Sequence, residues 1–341
     1  MQQIKDYMLE KLGNLISIDS PSGYTEQAQN WLMDELSAMG YRPQKLNKGG
    51  VTVHLGGTGN PIMLFSHVDT LGAVVNYIKQ DGRLALTNIG GLNANNVETE
   101  TVKIITRFNG VYDGTIQVPN ASVHVNGHVN DPRNFAENLE VVIDEDVHTD
   151  EDVRKLGIMP GDVLAVCPRF TVTPSGYIKS RFLDDKASAS VLLAYAKYLK
   201  DENITPSRSI YLNFTVFEEI GHGAACGIPD DVVECLAVDM GCVGENVTCT
   251  EKQVSICAKD SSGPYNHAFT SALIEAARKA GVDYAVDVYN YYSSDASVAL
   301  RAGHDVRCAL IGPGVYASHG YERSHVEGLW NTFALLRAYL A

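Results

Sequence analysis

At 341 residues, with 45% hydrophobic and 20% charged residues, the chain exceeds one typical domain and has the make-up of a well-filled globule. A formal net charge of −14, from 27 Lys and Arg against 41 Asp and Glu, argues against nucleic acid or an anionic membrane as a partner. There is no apolar run of about 18 residues and no charged-then-apolar amino terminus, so the expectation is a cytoplasmic protein without a membrane span. Seven cysteines, an odd number without paired short spacings, suit reduced thiols better than a disulfide framework or a zinc knuckle.

Met1 to Leu15 carries Ile4, Met8, Leu9, Leu12 and Leu15 at helical spacing. A turn cluster at Asp19–Gly23 precedes a second helix, opened by Thr25, running through Leu36 and ended by Gly40. A strand near Val51–Leu55 follows, and Gly56–Asn60 reads as a hairpin turn into the apolar run Pro61–Phe65. That run breaks into Ser66-His67-Val68-Asp69.

From 74 to 170 the texture changes. Short alternating strands are expected at Val75–Ile78, Leu84–Leu86, Val102–Ile105, Tyr112–Val118, Ala121–Val125 and Val141–Asp144, with turn signals such as Asp81-Gly82 and Asn109-Gly110 between them. After a helical stretch at Thr149–Lys155, Gly157–Asp162 closes the segment. The acidic run Val141–Arg154 reads as solvated surface. The pattern predicts a small β-barrel or sandwich, 74–170, inserted into an α/β domain built from 1–73 and 171–341.

The second pass of that domain alternates. Ile178–Leu183 closes on Asp184-Asp185, ahead of a helix to Lys200. The strand Ile210–Phe217 ends on Glu218-Glu219, and Val232–Val238 ends on Asp239. Val254–Ala258, helices at Tyr265–Ala280 and Ala296–Ala302, a strand at Val306–Ile311 and a helix at Leu329–Leu340 complete the chain. The fold class is therefore α/β: a mixed, mostly parallel sheet covered by helices on both faces, with ligands expected outside the carboxyl ends of its strands.

Chemistry gathers at those ends. His67 and Asp69, two apart, share a strand face, which suits a metal ligand with a carboxylate that orients it. Glu218 and Glu219, leaving a strand side by side, are expected to point to opposite sides, one toward a metal and one toward a reacting atom. His, Asp and Glu at the ends of separate strands are donors for a hard or borderline cation such as zinc, and two-metal hydrolytic sites share one bridging carboxylate.

Taken in order, SHVDTLG, the insert closed by GIMPGD, LDDK, FEEIG, AVDMG, SSDA and SHGYERSH resemble the glutamyl and deblocking aminopeptidases of the tetrahedral-aminopeptidase type, which are dinuclear metallopeptidases. The resemblance covers nearly the whole chain and implies roles residue by residue. His67 binds one metal and Asp69 holds its imidazole; Asp184 bridges both metals, with Asp185 supporting the turn. Glu218 is the general base, Glu219 binds the second metal, and Asp239 completes the first metal's shell. The last ligand is a His after Ile311-Gly312-Pro313, where this chain departs from the commoner His-Ser-Pro. His319 and His325 both qualify, and counting back from the closing helix favours His319.

The implied activity is release of the amino-terminal residue from short peptides, with two divalent ions per subunit: zinc first, cobalt or manganese as alternatives. The insert implies self-association, as a dodecamer or a dimer. A metal-dependent carboxypeptidase, an N-acyl-amino-acid deacylase and a non-catalytic scaffold are the competing readings. In the first two the extra domain falls between the Asp239-type ligand and the final His, whereas here the long gap separates His67 from Asp184.

Overall fold

Ile62–His67 is a strand with every residue buried, flanked on both sides by parallel partners, Ile210–Thr215 and Glu234–Val238. Glu234–Val238 pairs in turn, again parallel, with Arg307–Tyr316. Continuous apolar runs such as Ile-Met-Leu-Phe fit this position because both faces of a parallel sheet are covered. Met63, Phe65, Cys235, Ala237, Cys308 and Leu310 join Ala296 and Ala299 of helix Asp295–Arg301 in one cluster. The alternate residues Ile62 and Leu64 are equally buried. Helix Leu183–Asp201 contacts the same strands without supplying a member of that cluster, so it covers the other face. The strands run in register, Thr215 opposite His67 and Val238 opposite Ile311, and their carboxyl ends share one edge.

Phe65 is wholly buried in that cluster. Phe65→Ala is expected to cost about 3–5 kcal/mol, read as a lower urea midpoint with an unchanged slope. An unchanged midpoint would mean that the cluster does not carry the sheet's stability.

The computed structural model describes residues 2–341. The first helix is Gln2–Ser17, burying Ile4, Met8, Leu12 and Leu15; Met1, included in the expected helix, lies outside the described residues. The expected hairpin at Gly56–Asn60 is absent. Ile210–Thr215 lies between the two strands, antiparallel to Val51–Gly56 and parallel to Ile62–His67. Gly57, with φ of 85°, packs against the Arg208 carbonyl as the loop crosses the start of the inserted strand. A Gly-rich turn between two apolar runs looks the same whether the runs pair directly or leave a gap for a third.

The full sheet has 13 strands of mixed direction. On one side Arg307–Tyr316 pairs antiparallel with Val254–Asp260, which carries the unanticipated strand Tyr284–Val288. Beyond Arg307–Tyr316 on the other side come Glu322–His325, Tyr177–Ser180 and Thr171–Val172.

The chain divides into two compact units, one running to Thr70 and resuming over Arg169–Ala341, the other Leu71–Pro168. The second unit is a closed barrel of Gly72–Ile78, Leu84–Ile89, Glu140–Ile143, Val111–Gln117, Thr101–Ile105 and Val163–Val166. The expected strand at Ala121–Val125 does not form. Val123 and Val125 are exposed, and residues with no neighbouring strand to face cannot turn alternation into a buried surface. Val163–Val166, after the Gly157–Asp162 turn, closes the barrel instead.

Part of the acidic run is ordered. It overlaps the strand Glu140–Ile143 and helix Asp150–Lys155, where Thr149 caps the Asp152 N–H and three acidic residues sit in the first turn, favoured by the helix dipole. All seven cysteines are free, and among the described residues no helix is long and apolar enough to cross a membrane.

Candidate metal centre

The candidate residues are delivered by abrupt ends of regular elements. His67 closes its strand, and Asp239 follows Glu234–Val238. Asp184 lies in the opening of helix Leu183–Asp201, where the backbone is not yet helical and the Asp184–Asp185 peptide is cis. His319, with φ of 64°, sits in the bend between Arg307–Tyr316 and Glu322–His325.

Glu218 and Glu219 are placed differently from the expectation. The strand stops at Thr215, Phe217 turns the chain with φ of 68°, and the pair sits on a 3-10 turn, Glu218–Ile220. Buried Asp295 anchors both flanks of this turn: it accepts the Thr215 hydroxyl hydrogen bond, and its Oδ1 accepts the Ala224 N–H at 2.7 Å. The two carboxylates diverge because the backbone turns, not because a strand alternates.

Asp184 lies between two imidazoles. Its Oδ1 is 3.1 Å from His67 Nε2, and its Oδ2 is 3.6 Å from His319 Nε2. His67, Asp184 and Asp239 present donor atoms that all lie within 4.8 Å of one another. His319 Nε2 is also 3.7 Å from Glu219 Oε2, and Glu218 Oε2 is 3.8 Å from His67 Nε2. Two donor groups thus share one carboxylate.

Asp69 holds the imidazole mainly by its backbone: His67 Nδ1 is 3.0 Å from its main-chain oxygen, against 3.6 Å from Oδ1. Its carboxylate accepts the Ser22 hydroxyl at 2.5 Å and the Glu218 N–H at 3.2 Å, tying the His67 strand end to the Glu218 turn. Asp185 accepts the Ser66 hydroxyl at 2.6 Å. His325 stands elsewhere. It caps the last helix, accepting the Glu327 N–H on Nδ1, and packs edge-on to Tyr177.

Burial is the largest single influence on His67, Asp184, Glu218, Glu219 and Asp239, though it does not always set the direction. It raises the Glu218 carboxyl well above its usual range, with Asp239, Asp295 and Glu219 adding to the effect and His67 opposing it. Burial and then Asp184 raise Glu219 in the same way. Asp239 is pushed up to about 7 by burial and by Asp184. For Asp184, burial is outweighed by its hydrogen bond to His67 and the acid stays low; for His67, burial is outweighed by the same bond and by the surrounding carboxylates, which hold the imidazole well above its usual value. Carboxylates crowded in this way resist ionising together until cations arrive, and oxygen and imidazole donors suit divalent ions.

Asp184, Glu218, Glu219, Asp239 and His319 line a cavity of about 380 Å³ whose other walls include Met240, Cys242, Tyr291, Tyr292 and Ser293, with no Lys or Arg in the lining. Sequence reasoning missed one contributor. Glu322, 2% exposed, accepts the Leu183 and Asp184 N–H groups on Oε2 at 2.6 and 3.1 Å and the His319 N–H on Oε1 at 3.2 Å. It lies three residues after His319 inside the SHGYERSH segment, which draws attention to its histidines and assigns Glu322 no role.

Comparison with known proteins identifies the family. Residues 49–335 match the M42 glutamyl aminopeptidase family. The Bacillus subtilis (strain 168) protein YhfE, assigned as an aminopeptidase by inference, is 42% identical over 334 residues, 97% of this chain and 96% of its own. Among solved structures, an aminopeptidase from the archaeon Desulfurococcus kamchatkensis shares the fold with a TM-score of 0.89 at 22% identity, covering 98% of this chain and 95% of that one. The Pyrococcus horikoshii TET1 peptidase, which can assemble into a tetrahedron or a large octahedral shell, does so with a TM-score of 0.86 at 22% identity, covering 98% and 99%. The chain belongs to the M42 glutamyl aminopeptidase family and is a metal-dependent aminopeptidase.

Proposed function

We propose that His67, Asp69, Asp184, Glu218, Glu219, Asp239 and His319 form a two-cation site that releases the amino-terminal residue of short peptides. His67 and Asp239 would hold one ion, Glu219 and His319 the other, and Asp184 would serve both. The observation that carries this reading is the position of Asp184, with one oxygen toward His67 and the other toward His319. Zinc suits these donors best, and cobalt or manganese can use them as well. When bound, such ions lower the pKa of a water and polarise the peptide carbonyl.

The rest falls to the chain's own groups. Glu218, whose proton affinity burial raises above that of an ordinary carboxylate, takes the proton from the attacking water and returns it to the leaving amine. Asp69 fixes both the His67 ring and the Glu218 backbone, so base and ligand keep their spacing. By the family resemblance, the substrate's free α-amino group would be held at the cation site beside these carboxylates, and this would restrict cleavage to the amino-terminal residue.

The cavity also bears on side-chain preference. Its carboxylates are engaged by cations and catalysis, and no Lys or Arg lines it to meet an acidic side chain. Peptides beginning with Leu, Met or Ala are expected to exceed those beginning with Asp or Glu in kcat/KM by at least about tenfold, a difference of ~1.4 kcal/mol. A panel of short peptides, free and N-acetylated, with each of these first residues checks it. Faster release of Asp or Glu would overturn the preference, and release from the acetylated peptides would overturn the aminopeptidase reading in favour of a deacylase or carboxypeptidase.

On this reading 1–73 and 171–341 form the catalytic domain, while the insert 74–170 serves self-association and substrate access, as a dodecamer or a dimer. The reported assemblies of the P. horikoshii relative support self-association. A cytoplasmic location accords with free thiols throughout.

A further inference from the structure

We propose that Glu322 is a positioning residue that sets the separation of Asp184 and His319, and with it the affinity of the second cation's site. The proposal rests on the two-cation reading above. Glu322–His325 pairs with Tyr177–Ser180, and that register ends at the Ser180–Glu322 pair. Beyond it the two chains part, one into the opening of helix Leu183–Asp201 and the other into the bend that carries His319. Backbone pairing therefore stops short of both candidate ligands.

The Glu322 side chain spans that gap. Its Oε2 takes the first N–H groups of the helix, those of Leu183 and Asp184, and its Oε1 takes the N–H of His319. A helix start needs such an acceptor, because its first N–H groups have no partner within the helix and its dipole favours a negative charge. Phe182, at the capping position with φ of 66°, makes no side-chain cap. Glu322 supplies the missing cap from another strand, and the same carboxylate holds the bend in which Ala317 and His319 both have positive φ. One side chain thus joins the backbones of two residues whose own side chains lie 3.6 Å apart.

Among the described residues His67 and Asp239, the donors proposed for the first cation, have no hydrogen bond to Glu322, and Asp184 is the group that links it to His67. Glu322→Gln keeps one acceptor oxygen and places an amide nitrogen, which cannot accept, against either the helix start or His319. Zinc titration of metal-stripped protein by calorimetry should then show the weaker binding step losing about 10–100-fold in affinity, the range for residues that orient ligands, while the tighter step stays within about threefold. Glu322→Asp, which keeps the carboxyl group but shortens the reach, should weaken the same step and serves if the Gln variant does not fold. A purely structural role would weaken both steps together or neither, and either result overturns the proposal. Wild-type protein that takes up a single zinc ion would overturn the two-cation reading and this proposal with it; two steps in the wild type that respond equally to both variants would overturn the proposal alone.

Discussion

Glu218→Gln is expected to lower kcat by about 10³-fold, within the span that a positioned general base contributes, while both zinc-binding steps and the thermal midpoint stay near those of the wild type. Glu218 Oε2 sits 3.8 Å from His67 Nε2 and its backbone is held by Asp69, so the amide replaces the carboxylate with little change of shape. What it loses is basicity. KM should move little, because the substitution leaves the cation donors His67, Asp184, Glu219, Asp239 and His319 in place. Steady-state kinetics beside calorimetry separates the outcomes: a fall in kcat below about threefold would remove Glu218 from the role of base, and a matching loss of zinc would make it a ligand.

Asp184→Ala should have the largest effect on the metal centre, weakening both zinc steps by more than about 100-fold, beyond the range set by residues that merely orient ligands. His67→Ala and His319→Ala should each weaken chiefly one step. The asymmetry follows from geometry, since Asp184 faces both imidazoles, at 3.1 and 3.6 Å. Titrating the three variants side by side checks it. If Asp184→Ala weakened only one step, the carboxylate would belong to a single ion and the bridging role would fail.

How far the site is legible in the sequence depends on which forces place each residue. His67 and Asp239 stand out because a strand covered on both faces is a continuous apolar run, and a polar residue at its end marks where cover stops. The Glu218-Glu219 pair is legible as an end signal, but its geometry is not. Phe217 adopts a left-handed backbone held by Asp295, nearly eighty residues away in the chain, and no local pattern reports that anchor. Glu322 is hidden for the same reason: its partners are backbone N–H groups at Leu183, Asp184 and His319, which carry no residue identity. Strand order is hidden too. The insertion of Ile210–Thr215 between Val51–Gly56 and Ile62–His67 is decided by which distant apolar run completes the sheet. Ala121–Val125 shows the converse, an alternating run that stays exposed because no strand lies beside it.

The most direct test strips the protein of metal and follows the release of leucine from a short Leu-initiated peptide while zinc is added stepwise, with bound zinc counted at each step. The account predicts no release from the stripped protein, activity that rises to its maximum as the second ion binds, and none at any loading from the same peptide with its amino group acetylated. Full activity at one ion per chain, or release from the acetylated peptide, would contradict it.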